Sequence, residues 1–310
     1  MSTSLIDFNS YPVKNVLGYL TKDKTTKQNI IFATTAYADF GITETTPVNK
    51  EVLFGRDHLE KEIRPRVEKS LEKQSERTKN KAEVFTPAWI CNKMNNVCDD
   101  EWFGKKGVFN TEEGQVWTPT ETPIPFERPR DWQKYVDSKR LEITCGEAPY
   151  LVSRYDTTTG EIIPIKCCIG LLDRKLRVVN ENTKKKEDWL KWTYRAFESV
   201  YGYEYQGDNL LIARINLLNT FVDYMQDRWN CVPTDAELKK ITNTIVWNLW
   251  QMDGLTGLVP FGKPRVEYQQ LTLFDYSVGE EEKVGEDVGC KIMDWRADRS
   301  ILFRNIKDED

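Results

Sequence analysis

Histidine is nearly absent from this chain, since His58 is the only one among the 310 residues. Catalysis by a Ser-His or Cys-His pair would depend on that one side chain, which disfavours those enzyme classes. The seven cysteines include no Cys-x-x-Cys pair. A zinc site is therefore disfavoured, and reduced thiols in the cytoplasm are the simplest interpretation.

Long apolar runs and an excess of positive charge are also lacking. No apolar stretch approaches the roughly 18 residues that span a bilayer. The first residues, Met1 to Asp7, lack the basic start and apolar core of a secretory signal. We therefore expect a cytoplasmic protein without membrane contact. The net charge is −5, so any contact with DNA needs a local basic patch or a basic partner.

Charged residues are dense toward the end of the first 80 residues, which we treat as a separate N-terminal region, charged and helical in character. Pro65 suits the first turn of a helix, and the mixed charges after it favour a helix that faces solvent. The alternative is a basic arm for DNA phosphates, with Arg64, Arg66, Lys69, Lys73, Arg77, Lys79 and Lys81 as its members.

Residues 81–310 alternate between apolar strands and helices, which predicts an α/β fold with a parallel sheet covered by helices on both faces. Thr86 is the predicted cap of a helix that begins at Pro87. Residues 156–198 are interpreted as an insertion with an amphipathic helix from about Lys184. The other predicted elements are strands at Leu141–Thr144, Ser199–Glu204 and Lys291–Trp295, and helices over 209–222 and 234–250.

The turn after the first predicted strand combines small residues with carboxylates. Gly146 and Ala148 let a ligand approach the backbone closely, and Glu142 and Glu147 can neutralise a positive charge on it. At the end of the next strand, Glu204 can accept hydrogen bonds from both hydroxyls of a ribose. The turn is not Gly-x-Gly-x-x-Gly, which disfavours a dinucleotide as the ligand.

Three segments stand out together: Glu83-Val84-Phe85-Thr86-Pro87, Glu142 to Leu151, and Tyr203-Glu204. Taken in this order, they resemble the cofactor half of adenine-N6 DNA methyltransferases of the gamma type. Glu83-Val84-Phe85-Thr86-Pro87 is similar to the element in which Thr-Pro approaches the cofactor. The segment from Glu142 to Leu151 is similar to the first motif, with Ile143 and Thr144 in place of Pro-Ala and Ala148 where Gly is usual. Tyr203-Glu204 matches the second motif and Asp253 the third, although Asp253 is equally well interpreted as a turn residue before Gly254.

The resemblance implies a Rossmann-like methyltransferase sheet that binds S-adenosyl-L-methionine. Asp253 would then accept a hydrogen bond from the exocyclic amine of the cofactor adenine. The implied cofactor-binding residues are Phe85, Thr86, Pro87, Glu142, Thr144, Cys145, Gly146, Glu147, Ala148, Glu204, Tyr205 and Asp253.

The fourth motif of that family is missing. Its (Asn/Asp)-Pro-Pro-(Tyr/Phe) loop holds the flipped adenine in line with the methyl group, and no such tetrapeptide occurs here. Leu258-Val259-Pro260-Phe261 has one proline and no Asn or Asp at the right place. No catalytic residue is therefore assigned.

The resemblance thus implies a split enzyme of a restriction-modification system. This chain would bind the cofactor, and a second polypeptide would bring the catalytic loop and the target-recognition region, with double-stranded DNA bound through the complex. Two alternatives stay open. One is a non-catalytic scaffold or regulatory protein that keeps a degenerate methyltransferase fold and binds protein or DNA. The other is a complete methyltransferase acting on a different substrate.

Overall fold

The computed structural model describes residues 4–70, 74, 86–262 and 288–308. Phe85 and most of the helix predicted after Pro65 lie outside the described residues. Their roles therefore stay predictions. Directly after Pro65, the chain forms a short 3-10 helix over Arg66–Glu68.

Eight α-helices and seven strands are described. The helices are α1 Val13–Leu20, α2 Lys50–Leu53, α3 Ala88–Phe103, α4 Asp131–Asp137, α5 Leu171–Asn182, α6 Lys186–Glu198, α7 Gly207–Trp229 and α8 Asp235–Asn248. The strands are β1 Asn110–Glu113, β2 Val116–Pro119, β3 Arg140–Glu142, β4 Val200–Glu204, β5 Leu249–Gln251, β6 Lys291–Asp294 and β7 Arg299–Leu302. Short 3-10 helices also occur at Ala38–Phe40, Leu59–Lys61, Ile165–Cys167 and Phe303–Asp308.

A parallel three-stranded sheet lies at the centre, in the order β3-β4-β5. Glu142 of β3 is aligned with Gly202 of β4, and Glu204 of β4 with Gln251 of β5. Helices connect these strands, α5 and α6 between β3 and β4, and α7 and α8 between β4 and β5. The fold is therefore mixed α/β with a parallel sheet, as the alternating pattern predicts.

The two faces of the sheet are covered differently. Val200 and Leu249 belong to the large core that α7 and α8 also enter. On the opposite face, Tyr201, Tyr203 and Trp250 pack against the antiparallel hairpin of β6 and β7. Alternate side chains of a strand point to opposite faces. Tyr201 and Tyr203 therefore face away from the large core and form a second, smaller apolar cluster with the hairpin.

The N-terminal region contributes to the same large core, through Phe8, Leu17 and Phe32 among others. Its chain passes very close to the start of α7, where Gly207 donates its N–H to the Phe32 carbonyl at 2.9 Å. A Cβ atom on residue 207 would lie 2.0 Å from the Ile31 carbonyl oxygen. Only glycine fits this crossing.

Several local predictions are wrong in detail. Thr86 does not cap α3, because the helix begins at Ala88 with no side-chain cap from its own N-cap residue. Asp156 replaces it by accepting a hydrogen bond from the Ala88 N–H at 2.8 Å. The insertion contains α5 in addition to the predicted amphipathic helix. The sequence also gives no prediction of strand β5, which ends two residues before Asp253. β5 has three residues, too few to show a strand periodicity.

Other predictions are confirmed. Strand β4 and helix α8 lie where the pattern places them, and Thr234 with Glu237 forms a reciprocal capping box at the start of α8. In the part of the chain that is described, no helix is both long and apolar enough to cross a membrane.

Candidate functional site at the ends of β3 and β4

Glu142 is the last residue of β3 and its carboxylate is buried. Its two oxygens accept hydrogen bonds from the N–H groups of Tyr150 at 3.3 Å and Leu151 at 3.1 Å. The carboxylate thereby closes the loop from residue 143 to 151 back onto the strand end. Glutamate suits this position because its chain is long enough to reach across the turn.

Glu204 occupies the corresponding place at the end of β4. Its Oε2 accepts from the Gly146 N–H at 2.9 Å, and its Oε1 from the Gln206 N–H at 3.0 Å. Glu142 is aligned with Gly202, so Glu204 lies two residues further along and points to the same face. The two predicted carboxylates therefore hold one loop between them.

The loop itself has an unusual backbone. Thr144, Gly146 and Ala148 have φ values of +45°, +54° and +65°. Glycine adopts this left-handed region freely, whereas a β-branched threonine rarely does. Such strain costs about 1–3 kcal/mol per residue and tends to occur at ligand sites.

Close contact between loop and strand comes from Gly202. Cys145 donates its N–H to the Tyr203 carbonyl at 2.8 Å, and a Cβ on residue 202 would lie 3.3 Å from the Cys145 Sγ. Cys145 is fully buried, and desolvation raises the pKa of its thiol well above the usual range. Its burial and raised pKa are those of a small packing residue.

Burial, and secondarily the nearby charge of Glu204, raises the pKa of Glu142 to about 8, while the two backbone hydrogen bonds act in the opposite direction. No lysine or arginine among the described residues forms an ion pair with Glu142. The arrangement thus has a carboxyl group without a cationic partner in the part of the chain that the structure describes. A positively charged ligand would favour its ionised form.

Glu147 points into a different environment. Its oxygens accept from the Arg66 N–H at 2.7 Å and the Tyr155 hydroxyl at 2.6 Å, and its carbonyl accepts from Asn216. The side chain is 1% exposed. Glu147 therefore ties the loop to the N-terminal region and to α7, which differs from the predicted role as a counter-charge for the ligand.

Asp253 and Tyr205 lie beside the site. The Asp253 carboxylate accepts from the Leu255 N–H at 2.8 Å and so caps its own turn. The Tyr205 ring packs edge-on against Phe261, with centroids 6.2 Å apart. Both residues follow the carboxyl ends of strands, but the Asp253 hydrogen bonds match the turn interpretation that the sequence left open.

Tyr150 connects the first predicted motif to α3, although sequence reasoning assigned it no role. Its N–H binds Glu142, and its hydroxyl donates to Met94 Sδ of α3 at 3.1 Å. Thr86 and Pro87 directly precede α3, and the Thr86 carbonyl accepts from the Thr157 hydroxyl at 3.0 Å. An aromatic residue with a polar tip at the end of the motif was the available signal.

Within the described ranges, no group of three or more His, Cys, Asp or Glu side chains is arranged to hold a metal ion. The chain matches no protein-family model, no curated protein and no solved structure. What the site can bind is therefore inferred from its geometry and chemistry.

Proposed function

We propose that this chain binds S-adenosyl-L-methionine and forms the cofactor subunit of a split adenine-N6 DNA methyltransferase of a restriction-modification system. In this proposal the parallel strands are half of a Rossmann-like sheet. A second polypeptide contributes the catalytic Pro-Pro loop and the target-recognition region, and DNA binds to the complex. The observation that carries the proposal is the pair of carboxylates, Glu142 and Glu204, that brackets one loop beyond two adjacent parallel strands.

The chemistry of this pair fits the proposed cofactor. S-adenosyl-L-methionine carries positive charge on its sulfonium and ammonium groups, and Glu142 is a buried carboxyl without a cationic partner among the described residues. Glu204 stands at the strand end that commonly receives ribose hydroxyls. The bound group would supply an activated methyl, and the residues of this chain would orient it and compensate its charge.

Calorimetry on the purified chain tests binding of S-adenosyl-L-methionine. We expect saturable binding that is weakened at least about tenfold, or about 1.4 kcal/mol, by Glu204→Gln. The matched control is Glu161→Gln, which alters an exposed carboxylate outside the site and should leave the affinity unchanged. Absence of heat and of a thermal shift with the unmutated chain would contradict the proposal.

The pH dependence of affinity tests the role of Glu142. A cationic ligand binds the ionised carboxylate better, so affinity for S-adenosyl-L-methionine should rise as the pH increases through about 8. S-adenosylhomocysteine lacks the sulfonium charge and should show a weaker rise. With Glu142→Gln, the affinities for the two ligands should depend on pH in the same way.

Incubation of the chain alone with adenine-containing DNA and labelled cofactor tests the split organisation. Because no (Asn/Asp)-Pro-Pro-(Tyr/Phe) tetrapeptide is present, we expect no methylation. Methyl transfer to adenine by this chain by itself would refute the requirement for a second polypeptide, although it would leave cofactor binding intact.

One observation favours the alternative of a non-catalytic scaffold. Both oxygens of Glu142 and both of Glu204 already accept backbone hydrogen bonds, which is also what a purely structural loop clamp requires. In that case Glu142→Gln and Glu204→Gln would lower stability, and no cofactor would bind to the unmutated chain. The calorimetric experiment thus separates the two functions.

A further inference from the structure

The outer edge of β3 has backbone groups that find no partner among the described residues. Arg140 of β3 donates its N–H at 2.9 Å to the carbonyl of Ser199, the residue just before β4. The backbone groups of Arg140 therefore face β4. Backbone groups alternate between the two sides of a strand, so the N–H and C=O of Leu141 point away from β4. Neither group forms a hydrogen bond within the described ranges, and β3 pairs only with β4 there.

Large apolar side chains are exposed along this edge. Leu141 is 45% exposed and Ile143 63%. Helix α3 contributes Met94, Val97 and Trp102, of which Val97 is 64% exposed. We call these five side chains the β3-edge patch. Exposed apolar side chains on neighbouring elements are a feature of interaction sites on soluble proteins.

Two contacts place α3 alongside β3. Near the end of the helix, the Trp102 ring lies 5.9 Å from the Arg140 guanidinium carbon. Just over two turns before it, Met94 contacts the hydroxyl of Tyr150, whose N–H binds Glu142. The end of the helix therefore lies beside the first residue of the strand, and Met94 lies beside the loop that follows the strand.

The charges near the patch are mainly positive. Lys93, Lys105, Lys106 and Lys139 stand close to it in the sequence, against Asp100 and Glu101. Asp99 is buried and forms ion pairs with both Arg174 and Arg140. The chain as a whole carries a net charge of −5, so this local excess of positive charge complements an occupant with acidic residues around an apolar centre.

We propose that the β3-edge patch receives a β-strand of a second polypeptide, apolar in its middle and flanked by acidic residues. Only an extended strand offers N–H and C=O groups at the spacing of Leu141, the mode of recognition known as β-augmentation. A parallel strand would end beside Glu142 and Glu204, so its following loop would reach the candidate site. The inference rests on the proposed function only in identifying this strand as part of the chain that completes the site.

The test uses the full chain labelled with nitrogen-15 and a short synthetic peptide with alternating valines and acidic ends. Binding should slow amide exchange at Leu141 at least about tenfold. The same peptide with its alternate backbone nitrogens methylated cannot pair and should give no protection. Absence of protection at Leu141 with the unmethylated peptide would overturn the proposal.

Introduction of a negative charge at an exposed valine provides the matched variants. Val97→Glu should weaken peptide binding at least about tenfold and leave calorimetric binding of S-adenosyl-L-methionine unchanged. Val232→Glu alters a valine of similar exposure, 56%, outside the patch and should have no effect on either ligand. Equal weakening by both variants would contradict the location.

Two other occupants would be recognised by their own signals. A concentration-dependent dimer in sedimentation that Val97→Glu abolishes would assign the patch to a second copy of the chain. Binding of a DNA duplex that is lost with Lys139→Glu, with no peptide protection, would assign it to nucleic acid. Either result overturns the proposed strand, whereas failure of cofactor binding alone leaves it standing and overturns only the function.

Discussion

The backbone groups on the two outer edges of the central sheet differ in whether they have hydrogen-bond partners. On β5, the Leu249 carbonyl accepts from Arg214 Nε at 3.0 Å and Nη2 at 2.6 Å. The Gln251 carbonyl accepts from Cys290 Sγ, and its side-chain amide binds the Ile31 N–H and carbonyl. On β3, Leu141 has no such partner among the described residues, and its side chain is 45% exposed.

The difference shows where this chain supplies its own cover. A sheet edge offers a row of unpaired backbone groups that can pair with another chain, and proteins usually protect it. At β5 the protection comes from a buried arginine and from the N-terminal region. At β3 the chain supplies none that the structure describes, and this is the edge next to Glu142. The contrast can be tested by substituting residues on each side.

The largest effect is expected from Arg214→Met. Arg214 is fully buried and also donates to the carbonyls of Leu20 and Lys22. Its removal would leave several buried carbonyls without donors, so the free energy of unfolding should fall by about 3–5 kcal/mol. Urea denaturation measures this. A loss below about 1 kcal/mol would mean that the β5 edge does not need its cover.

A smaller loss is expected from Gln251→Leu. The side-chain oxygen of Gln251 accepts from the Ile31 N–H, and the side-chain nitrogen donates to the carbonyls of Ile31 and Tyr205. Leucine is of similar size but leaves these groups unsatisfied, so we expect a loss of about 2 kcal/mol. Amide exchange at Ile31 should accelerate more than exchange in α6, which serves as the internal control. Uniform acceleration would point to global destabilisation instead.

The two strand ends also differ in charge, since β3 ends on Glu142 and β5 on the neutral Gln251. Burial raises the pKa of Glu142 from 4.5 to about 8, so the folded protein keeps a proton that the unfolded chain has released. The free energy of unfolding should therefore fall as the pH rises from about 4.5 to about 8, with a slope of up to ~1.4 kcal/mol per pH unit.

Denaturation at several pH values with Glu142→Gln checks this slope. Asp173 also has a pKa raised by burial, to about 6, and contributes in the same direction at lower pH. The comparison is therefore clearest between about pH 7 and pH 8, where the glutamine variant should show a flatter profile. Identical slopes for both proteins would show that Glu142 does not retain its proton.

The smallest effect is expected from Leu141→Lys on the β3 edge. The side chain is half exposed and its neighbours on the patch are also exposed, so the free energy of unfolding should change by less than about 0.5 kcal/mol. The same urea denaturation applies as for Arg214→Met. A loss comparable with that variant would mean that the β3 edge is covered after all.

Much of the framework follows from local patterns. The strand ending at Glu204, the long apolar helix after it and the helix that follows Thr234 are predicted from periodicity. Strand β5 and helix α5 are not predicted from the sequence. The first is too short to show a period, and the second begins with a glycine N-cap in a segment rich in buried charge.

The site was predictable in part for the same reason. Glu142, Gly146 and Glu204 were expected at two neighbouring strand ends, and parallel pairing does bring them together. Glu147 shows the limit, because residues far along the chain, Arg66 and Tyr155, determine the direction of its carboxylate. Phe85 lies outside the described residues and stays a prediction.

By itself, the order of residues determined which segments become strands and helices and where carboxylates and small residues coincide, since these depend on neighbours a few positions apart. Only the tertiary structure decided which carboxylate stays near the strand ends, which helix start is capped by Asp156, and which edge of the sheet has no partner in the described ranges. Those outcomes depend on contacts between distant segments, whose geometry exists only after the chain has packed.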